Sequence, residues 1–495
     1  MPRGIVTMLR LLFALLLLAL PNTAHADWYE ASAPHFLVYA DRDSDRLQAF
    51  ATNLERFDRV IRIMVGQSDT EIAKASRVTV FMVDDVAAVQ TLLANKDIAG
   101  FFVPRASGSF AVVPQKSTEG GALALKPLQV LLHEYSHYLM WSLSPDTPYP
   151  AWLIEGFAEF NATARFEKDG SVRLGEPPLY RGIGIMSGNN MSIDRLLGLT
   201  SKPIEPDEMD AFYGRAWLLT HYLRIGAPQR STQLGAYVAA LTAGKPPAEA
   251  ARVFGDLKQL DGELEVYKKR RMPISIVPGD RLVIAPVALR KLSPGAAATM
   301  DVRIRSKVTA NPKTAPGIFA DAVRAAGPYP GDAEAQLTLA GTALDAGDYP
   351  AAGAASDRAL AADPEAVRAL TYKATAEMLA ARKAKDASPQ RWIAIRALLS
   401  SANRLDPRDP VPLLLYYRSY TDQGVAPPQI AKQGLKAAFL LAPYDPSLRV
   451  RTAIMYLRDR DAANARTLLC PARLCATCRR NWRHGGGSRR EDRCR

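Results

Sequence analysis

A pair of histidines with helical spacing is the part of the sequence whose residue types most directly suggest chemistry. Residues 130–140 read VLLHEYSHYLM, an apolar segment that contains the motif H-E-x-x-H. Side chains four residues apart lie on one face of a helix, so His133 and His137 can direct their imidazole nitrogens at a single ion. Glu134 lies next to His133, where its carboxylate can hold a water molecule bound to that ion. The motif therefore predicts a zinc site on a helix.

A second helical segment supplies two carboxylates soon afterwards. Residues 150–160 read PAWLIEGFAEF and begin with proline, which is common in the first turn of a helix. A catalytic zinc ion takes three protein ligands and keeps its fourth position for water. Glu155 can complete a set with the two histidines, and Glu159, one turn further, can accept a hydrogen bond from an imidazole N–H. Together the two segments predict a zinc hydrolase site.

The order H-E-x-x-H followed by W-L-x-E-G-x-A-E resembles the gluzincin branch of the zincin metallopeptidases, which includes the thermolysin-like enzymes. It is most similar to secreted bacterial peptidase MA-like proteins, many of which carry helical repeats behind the protease domain. The resemblance covers about half of the chain and implies that His133, His137 and Glu155 are zinc ligands and that Glu134 is the general base. The G-x-M-E-N motif of aminopeptidases is missing upstream, which argues against amino-terminal trimming.

Peptide hydrolysis at zinc also needs a donor for the oxyanion that develops during the reaction. In the families that the chain resembles, a Tyr or His on a later helix has that role. Tyr213 is the first candidate here and His221 the second, both in the helical segment after residue 207 with Trp217 between them. The same spacing also fits ordinary core packing. His35, which precedes a strand, is expected to be structural.

The composition excludes some classes of function. A chain of 495 residues is expected to form two or three domains, and its 48% apolar content is that of a globular protein. Of the net charge of +13, residues 471–495 contribute +6, and no basic stripe with interleaved aromatics lies in the body of the chain. We therefore expect no nucleic-acid partner.

The amino terminus has the pattern of a secretory signal peptide. Residues 1–26 contain two arginines, an unbroken apolar run at 11–20 and an A-H-A cleavage site ahead of Asp27. The pattern predicts cleavage between Ala26 and Asp27 and a periplasmic or secreted protein, with an uncleaved anchor as the alternative. No later apolar run is long enough for a membrane span.

The segment before the zinc motif has the order of elements of a zincin amino-terminal half. Residues 109–113 are then either the edge strand, to which an extended substrate would add as a further strand, or an interior strand of an ordinary sheet. The predicted elements are a strand at 35–39, a helix at 44–65, a strand at 77–83, a helix at 86–94 and a hairpin of 100–103 with 109–113.

The last third of the chain repeats itself. Residues 359–364, 402–407 and 438–443 share an ending of the form Ala-x4-Pro, and their prolines are 43 and 36 residues apart. Together with small residues ahead of the first ending, this resembles about three degenerate tetratricopeptide repeats (TPRs). Such an array stacks into a solenoid whose concave surface can bind peptides or protein partners. The alternative is a plain helical appendage without a ligand.

All four cysteines lie in the last 26 residues, where the helical pattern gives way to Arg, Cys and Gly. The C-x-x-C pattern suggests zinc only superficially, and the abrupt change in composition indicates a disordered tail, as from out-of-frame translation. The sequence thus predicts an α+β zincin-like metallopeptidase domain followed by an α-helical TPR-like solenoid. The boundaries are a signal peptide at 1–26, the zincin-like domain at 27–272, a β-rich connector at 273–315 with strands at 274–277, 281–287 and 300–304, TPR-like repeats at 316–469 and a basic tail at 470–495.

The function that these observations favour is zinc-dependent hydrolysis of peptide bonds in exported proteins or peptides, with the TPR-like region binding a protein partner. The alternative is a non-catalytic exported TPR scaffold with a degenerate or structural zincin domain. An amidase of non-peptide bonds, for instance in the cell wall, is a third interpretation. The intact Glu134 favours catalysis, because a structural metal site has no use for a carboxylate directed at water.

Overall fold

The computed structural model describes residues 27–474 except 42–43, 70–71, 97, 117–120, 122–123 and 188–190. The predicted signal peptide and most of the predicted tail lie outside the described residues. The described chain is a mixed α/β unit followed by a stack of helices. Within it, no helix has the length and apolar character of a membrane span.

A six-stranded sheet forms the centre of the α/β unit, in the order β4-β5-β3-β2-β1-β9. Strands β2, β3 and β5 run parallel to one another, and the other neighbours are antiparallel. A small second sheet has the order β6-β7-β8. The strands are β1 Trp28–Ser32, β2 Phe36–Asp41, β3 Val78–Asp85, β4 Phe101–Val103, β5 Phe110–Lys116, β6 Arg165–Phe166, β7 Val172–Leu174, β8 Ser275–Val277 and β9 Ala288–Lys291.

The two faces of the large sheet pack into different cores because successive strand residues point to opposite sides. Val38 and Val80 enter the core that contains the helix of the H-E-x-x-H motif, whereas Tyr39 and Phe81 enter the core on the other face. The helices of the α/β unit are α1 Ser44–Met64, α2 Val86–Leu93, α3 Pro127–Leu143, α4 Ala151–Ala162, α5 Gly182–Ser187, α6 Ile193–Leu196, α7 Met209–His221, α8 Gln233–Thr242, α9 Pro247–Ala250 and α10 Leu257–Tyr267. The predicted elements ahead of the zinc motif are confirmed within a few residues.

The hypothesis that residues 109–113 form the edge strand is wrong. Strand β5 is flanked by β3 on one side and by β4 on the other, with Phe101 opposite Val112. The edge at this end of the sheet is β4, and both faces of β5 are covered, since Phe110, Ala111 and Val112 are buried. The alternative, an interior strand, is confirmed.

The strand predicted at 300–304 is also wrong, because these residues begin helix α12, Met300–Thr309. Their apolar residues alternate in sequence, which is typical of a strand. In the helix, Met300 and Ile304 face the core above the sheet, while Val302 faces the core of the helical stack. A helix buried on two sides thus imitates the period of a strand. Residues 281–287 contain no strand either, and β8 and β9 each join one of the two sheets.

The remaining chain forms the helical stack, in agreement with the predicted helical repeats. Its turns are closed by aspartates that cap the next helix, such as Asp348 and Asp445, and its contacts are made by small residues such as Ala340 and Ala355. The helices are α11 Pro294–Ala298, α12, α13 Ala315–Ala326, α14 Ala333–Ala346, α15 Tyr349–Ala362, α16 Val367–Lys383, α17 Pro389–Leu405, α18 Pro410–Gln423, α19 Gln429–Leu441, α20 Pro446–Arg458 and α21 Ala462–Leu474. Helices α12, α14, α16 and α18 also contact the next-but-one helix, so they form an inner row.

The far end of the stack packs back onto the α/β unit. The Tyr444 ring lies 4.4 Å from the Tyr138 ring of α3, centre to centre. Arg449 donates a hydrogen bond to the carbonyl of Pro145 at 3.0 Å, and Asp445 accepts one from the backbone N–H of Ala106 at 2.8 Å. One hydrophobic core therefore runs from the sheet into the last helices of the chain.

Helices α4 and α7 approach each other across Gly156. A Cβ atom at this position would lie 2.3 Å from the hydroxyl oxygen of Thr220 and 2.4 Å from the carbonyl oxygen of Ala216. We expect Gly156→Ala to lower the free energy of unfolding by at least about 2 kcal/mol, because the backbone of α7 must move. Gly262→Ala on α10 is the matched control: its Cβ would meet open space, and we expect a gain of about 0.5–1 kcal/mol.

Denaturant unfolding followed by circular dichroism measures both changes. Equal stability of Gly156→Ala and the parent chain would contradict the close packing of α4 on α7.

Candidate metal centre

Helix α3 presents the two histidines of the motif. It begins at Pro127, and the Gln129 side chain accepts a hydrogen bond from the backbone N–H of Lys126 at 2.9 Å, which satisfies one free donor of the first turn. Leu132 and Leu139 anchor the helix in the core. His133 and the neighbouring Glu134 are only partly buried, so this side of α3 stays accessible.

Three potential ligand atoms converge between α3 and α4. The Nε2 atoms of His133 and His137 are 3.1 Å apart. The Oε2 atom of Glu155 lies 3.4 Å from the first of them and 3.3 Å from the second. The structure therefore brings together the three residues that the sequence names as ligands.

The dimensions of this triangle suit a small tetrahedral ion. Zinc binds imidazole nitrogen and carboxylate oxygen at about 2.0–2.2 Å, so neighbouring ligand atoms of a tetrahedral site lie about 3.3–3.6 Å apart. The two separations that involve Glu155, 3.3 and 3.4 Å, lie in this range, and the 3.1 Å between the imidazole nitrogens is slightly shorter. A point about 1.9 Å from all three atoms lies in their plane, so an ion at zinc distance fits slightly above it.

The charge of Glu155 is stabilised by the same two imidazoles. Its carboxylate is fully buried, and burial alone raises the pKa of a carboxyl group. Interactions with His137 and His133 outweigh this effect and hold the pKa of Glu155 well below its ordinary value. The buried position therefore favours a carboxylate that faces positive charge, whether imidazolium or a metal ion.

Glu159, one turn further along α4, is held by two residues that the sequence analysis missed. The Tyr180 hydroxyl donates to its Oε2 atom at 2.7 Å, and Arg181 donates through Nε to its Oε1 atom at 3.0 Å. The Nδ1 atom of His133 lies 3.7 Å from the same Oε1 atom. Glu159 thus stands behind His133, as predicted from its helical position, although the direct separation exceeds a hydrogen bond.

Tyr213 lies beside the histidine pair. Its ring is 6.3 Å from the His133 ring, centre to centre, and the guanidinium of Arg181 lies 4.4 Å from its ring centre. Arg181 also reaches Asp210, on the same helix, at 3.5 Å. Through Arg181, the turn before α5 therefore links α4 to α7 and holds the part of α7 that carries Tyr213 close to the histidines. One sequence signal could have found Arg181: a carboxylate on an apolar helix, such as Glu159, requires a cation when it is buried, and Arg181 immediately precedes α5.

The structure does not place His221 at this site. The ring packs against Trp217 and Phe160, its Nε2 atom lies 3.2 Å from the carbonyl oxygen of Pro273, and its Nδ1 atom lies 2.8 Å from the Tyr267 hydroxyl. A neutral imidazole satisfies both contacts, with Nε2–H as donor and Nδ1 as acceptor. Burial lowers the pKa of His221 to about 4.

A second group of polar side chains lies on the opposite side of α3. His35 contacts Glu55 through Nδ1 at 2.9 Å and Asp69 through Nε2 at 3.3 Å. Asp58 accepts from Arg62 at 2.5 Å and from the hydroxyl of Tyr135 at 2.7 Å. Because Tyr135 lies between the two histidines of α3 in sequence, this network fixes the helix from behind.

Neither a protein-family model nor a curated protein matches the chain. Among solved structures, the chain is similar to one described as "MamA RS-1 ArsTM double mutant". The two share 15% identity with a TM-score of 0.28, over 39% of this chain and 99% of that one. A likeness of this size carries no argument about the fold or the function, so the chemistry of the site rests on its own residues.

The buried His221 generates a pH dependence with a defined sign. Its pKa is about 4 in the folded chain and about 6.5 in the unfolded chain, so between these values the unfolded chain binds the additional proton. We expect this histidine to remove up to roughly 3 kcal/mol of stability as the pH falls from about 6.5 to 4.

This contribution is measured by denaturant unfolding of the parent chain and His221→Gln at a series of pH values. It is the difference between the two chains in the slope of the free energy of unfolding against pH. The variant can be less stable at every pH, but its stability should fall less steeply over this window. Parallel curves would contradict a buried neutral His221.

Proposed function

We propose that the chain binds zinc through His133, His137 and Glu155 and hydrolyses peptide bonds. The observation that carries the proposal is the triangle of 3.1–3.4 Å formed by the three ligand atoms, with Glu134 next to the first of them in the sequence. Two imidazoles, one carboxylate and an accessible side are the features of a catalytic rather than a structural zinc site.

In this proposal each residue has a separate task. Bound zinc supplies Lewis-acid chemistry and lowers the pKa of water at the open position. Glu134 accepts the proton of the attacking water on its carboxylate and passes it to the departing amine. Glu159 orients the His133 ring through its position behind Nδ1, and Arg181 and Tyr180 hold that carboxylate in place.

Tyr213 is the proposed donor to the oxyanion. Its place beside the His133 ring supports this role, because a phenol there can face the carbonyl oxygen of a substrate that approaches the accessible side. His221 is not proposed for the role, since its two nitrogens face Tyr267 and Pro273 in the core.

The wider proposal is a gluzincin-like peptidase of exported proteins or peptides, with a TPR-like stack as a protein-binding region. The signal-like residues 1–26 support export, and the capped helices with their small-residue contacts support the repeat interpretation. The competing function, a non-catalytic scaffold, shares the stack but makes no use of Glu134.

Glu134→Gln separates metal binding from hydrolysis. We expect one equivalent of zinc in both the parent chain and the variant, because Glu134 is not a ligand, and at least a hundredfold loss of casein and peptide-library cleavage in the variant. Glu167→Gln, on the turn of the small sheet, is the matched control and should leave both properties unchanged. Zinc without cleavage in either form would favour the scaffold, and no zinc in either would refute the site.

Tyr213→Phe tests the oxyanion donor. Loss of one such donor typically costs about 10²–10³ in kcat, so we expect a loss of that size with zinc content unchanged. Tyr222→Phe is the control: its hydroxyl donates to Glu263 at 2.9 Å, and its removal should leave kcat unchanged. Steady-state kinetics of both variants decides the matter, and an unchanged kcat in Tyr213→Phe would remove Tyr213 from the mechanism.

A further inference from the structure

A cluster of basic side chains lies where the turn of the β4–β5 hairpin meets the inner row of the helical stack. Its members are Arg105 in the turn, Arg303 and Lys307 on α12, and Arg368 on α16. We call them the junction cluster. The guanidinium of Arg105 and the ammonium of Lys307 each lie 5.5 Å from the centre of the Phe110 ring. Arg368 reaches the turn from the stack and donates to the carbonyl of Ser107 at 3.4 Å. Three segments distant in sequence thus bring positive charge to one place.

Three acids lie near the cluster, and each of them also has another partner. Glu334 forms a close ion pair with Arg290 at 2.6 Å and a longer one with Arg303 at 3.9 Å. Asp345 accepts a hydrogen bond from the Ser306 hydroxyl at 2.7 Å, and from beyond ion-pair distance its charge offsets part of the charge of Lys307 and Arg105.

Asp409, the third of these acids, caps helix α18 by accepting from the backbone N–H of Val411 at 2.8 Å. Within the described part of the chain, no carboxylate lies within ion-pair distance of Lys307 or Arg105. These two cations face the Phe110 ring, which compensates charge only weakly.

Gathering these cations costs free energy in the absence of an anion. The pKa of Lys307 is well below its ordinary value, first because the side chain is removed from water and then because Arg368, Arg303 and Arg105 repel its charge. A bound anion would relieve both effects, since it supplies the missing negative charge and accepts hydrogen bonds.

We propose that the junction cluster binds an oxyanion group, a phosphate or a carboxylate, between Arg105, Lys307 and Arg368. Two guanidinium groups can each offer paired N–H donors to such a group, and the ammonium adds a compact charge. The site is distinct from the metal centre and does not depend on it. Its ligand would connect the hairpin turn to the stack, and Phe102 of that hairpin packs against Tyr138 of α3 with ring centres 5.8 Å apart.

Inorganic phosphate is the first probe, titrated into the full chain while thermal unfolding is followed. The comparison is with chloride at matched ionic strength, because salt screening and general salt effects must be separated from binding. We expect saturable stabilisation by phosphate, and roughly tenfold weaker binding in Lys307→Met and in Arg105→Gln, as expected for the loss of one charge-assisted hydrogen bond.

Lys313→Met is the matched control, because this exposed lysine lies in the loop after α12 and away from the cluster. It should bind phosphate like the parent chain. Arg105→Gln keeps the test decisive if Lys307→Met fails to fold, since Arg105 is exposed. Equal phosphate stabilisation in the parent chain and in Arg105→Gln and Lys307→Met, or none in any of them, would overturn the proposal.

A second arm distinguishes a free anion from the carboxylates of a peptide. A fluorescent peptide of six glutamates is titrated into the same proteins, with and without phosphate. Peptide binding that needs Lys307 and Arg105 and is competed by phosphate identifies an acidic peptide segment as a ligand. Phosphate binding alone identifies a free oxyanion, and peptide binding that does not depend on Lys307, Arg105 or phosphate would contradict an acidic peptide as the ligand of the cluster.

Discussion

Two buried carboxylates on one helix are the constraint around which the site is arranged. Glu155 and Glu159 lie one turn apart on α4, and both are almost fully removed from water. Desolvating an unpaired carboxylate costs several kcal/mol, and two like charges at this spacing also repel each other. Each must therefore face cations or donors. The imidazoles of α3 serve Glu155, while Arg181 and Tyr180 serve Glu159, so α3, α4 and the turn before α5 depend on one another.

Helix α3 is held by contacts on two opposite sides, and these contacts restrict the positions of its histidines. In front, it faces Glu155. Behind, the Tyr135 hydroxyl donates to Asp58, which Arg62 also contacts. His133 and His137 thus contact α4 on one side of α3, while Tyr135 contacts Asp58 on the other. These opposed contacts limit rotation of α3 about its axis. The separations of 3.3 and 3.4 Å between the imidazoles of α3 and Glu155 of α4 depend on this restriction, because rotation of α3 would move both histidines relative to Glu155.

The local part of the site could be predicted from the sequence, because helical periodicity alone places His133, His137 and Glu134. The distant part could not, since Arg181 lies in an irregular turn whose position depends on tertiary packing. The choice between Tyr213 and His221 needed the structure. His221 lies eight residues beyond Tyr213, about 12 Å along a helix, so only one of the two can reach a given oxyanion, and Tyr213 is the one whose ring lies beside His133. In the fold, the strands and helices before the motif formed where their apolar periodicity predicted them. The helix α12 was predicted as a strand, because it is buried on two sides and its apolar residues Met300, Val302 and Ile304 therefore alternate in sequence.

The packing of the stack limits how its inner surface can be used. In a solenoid the inner row of helices is the usual peptide-binding surface, but here α16 already contacts the hairpin turn through Arg368, and Asp445 at the start of α20 holds the backbone of Ala106. A long peptide in that groove would have to displace the turn. Because the same hairpin packs on α3 through Phe102, such displacement would act on the helix that carries the histidines. A chain of contacts therefore runs from the stack through the hairpin turn to α3, and a ligand of the stack would act on the candidate metal centre only to the extent that it favoured one position of the turn over another.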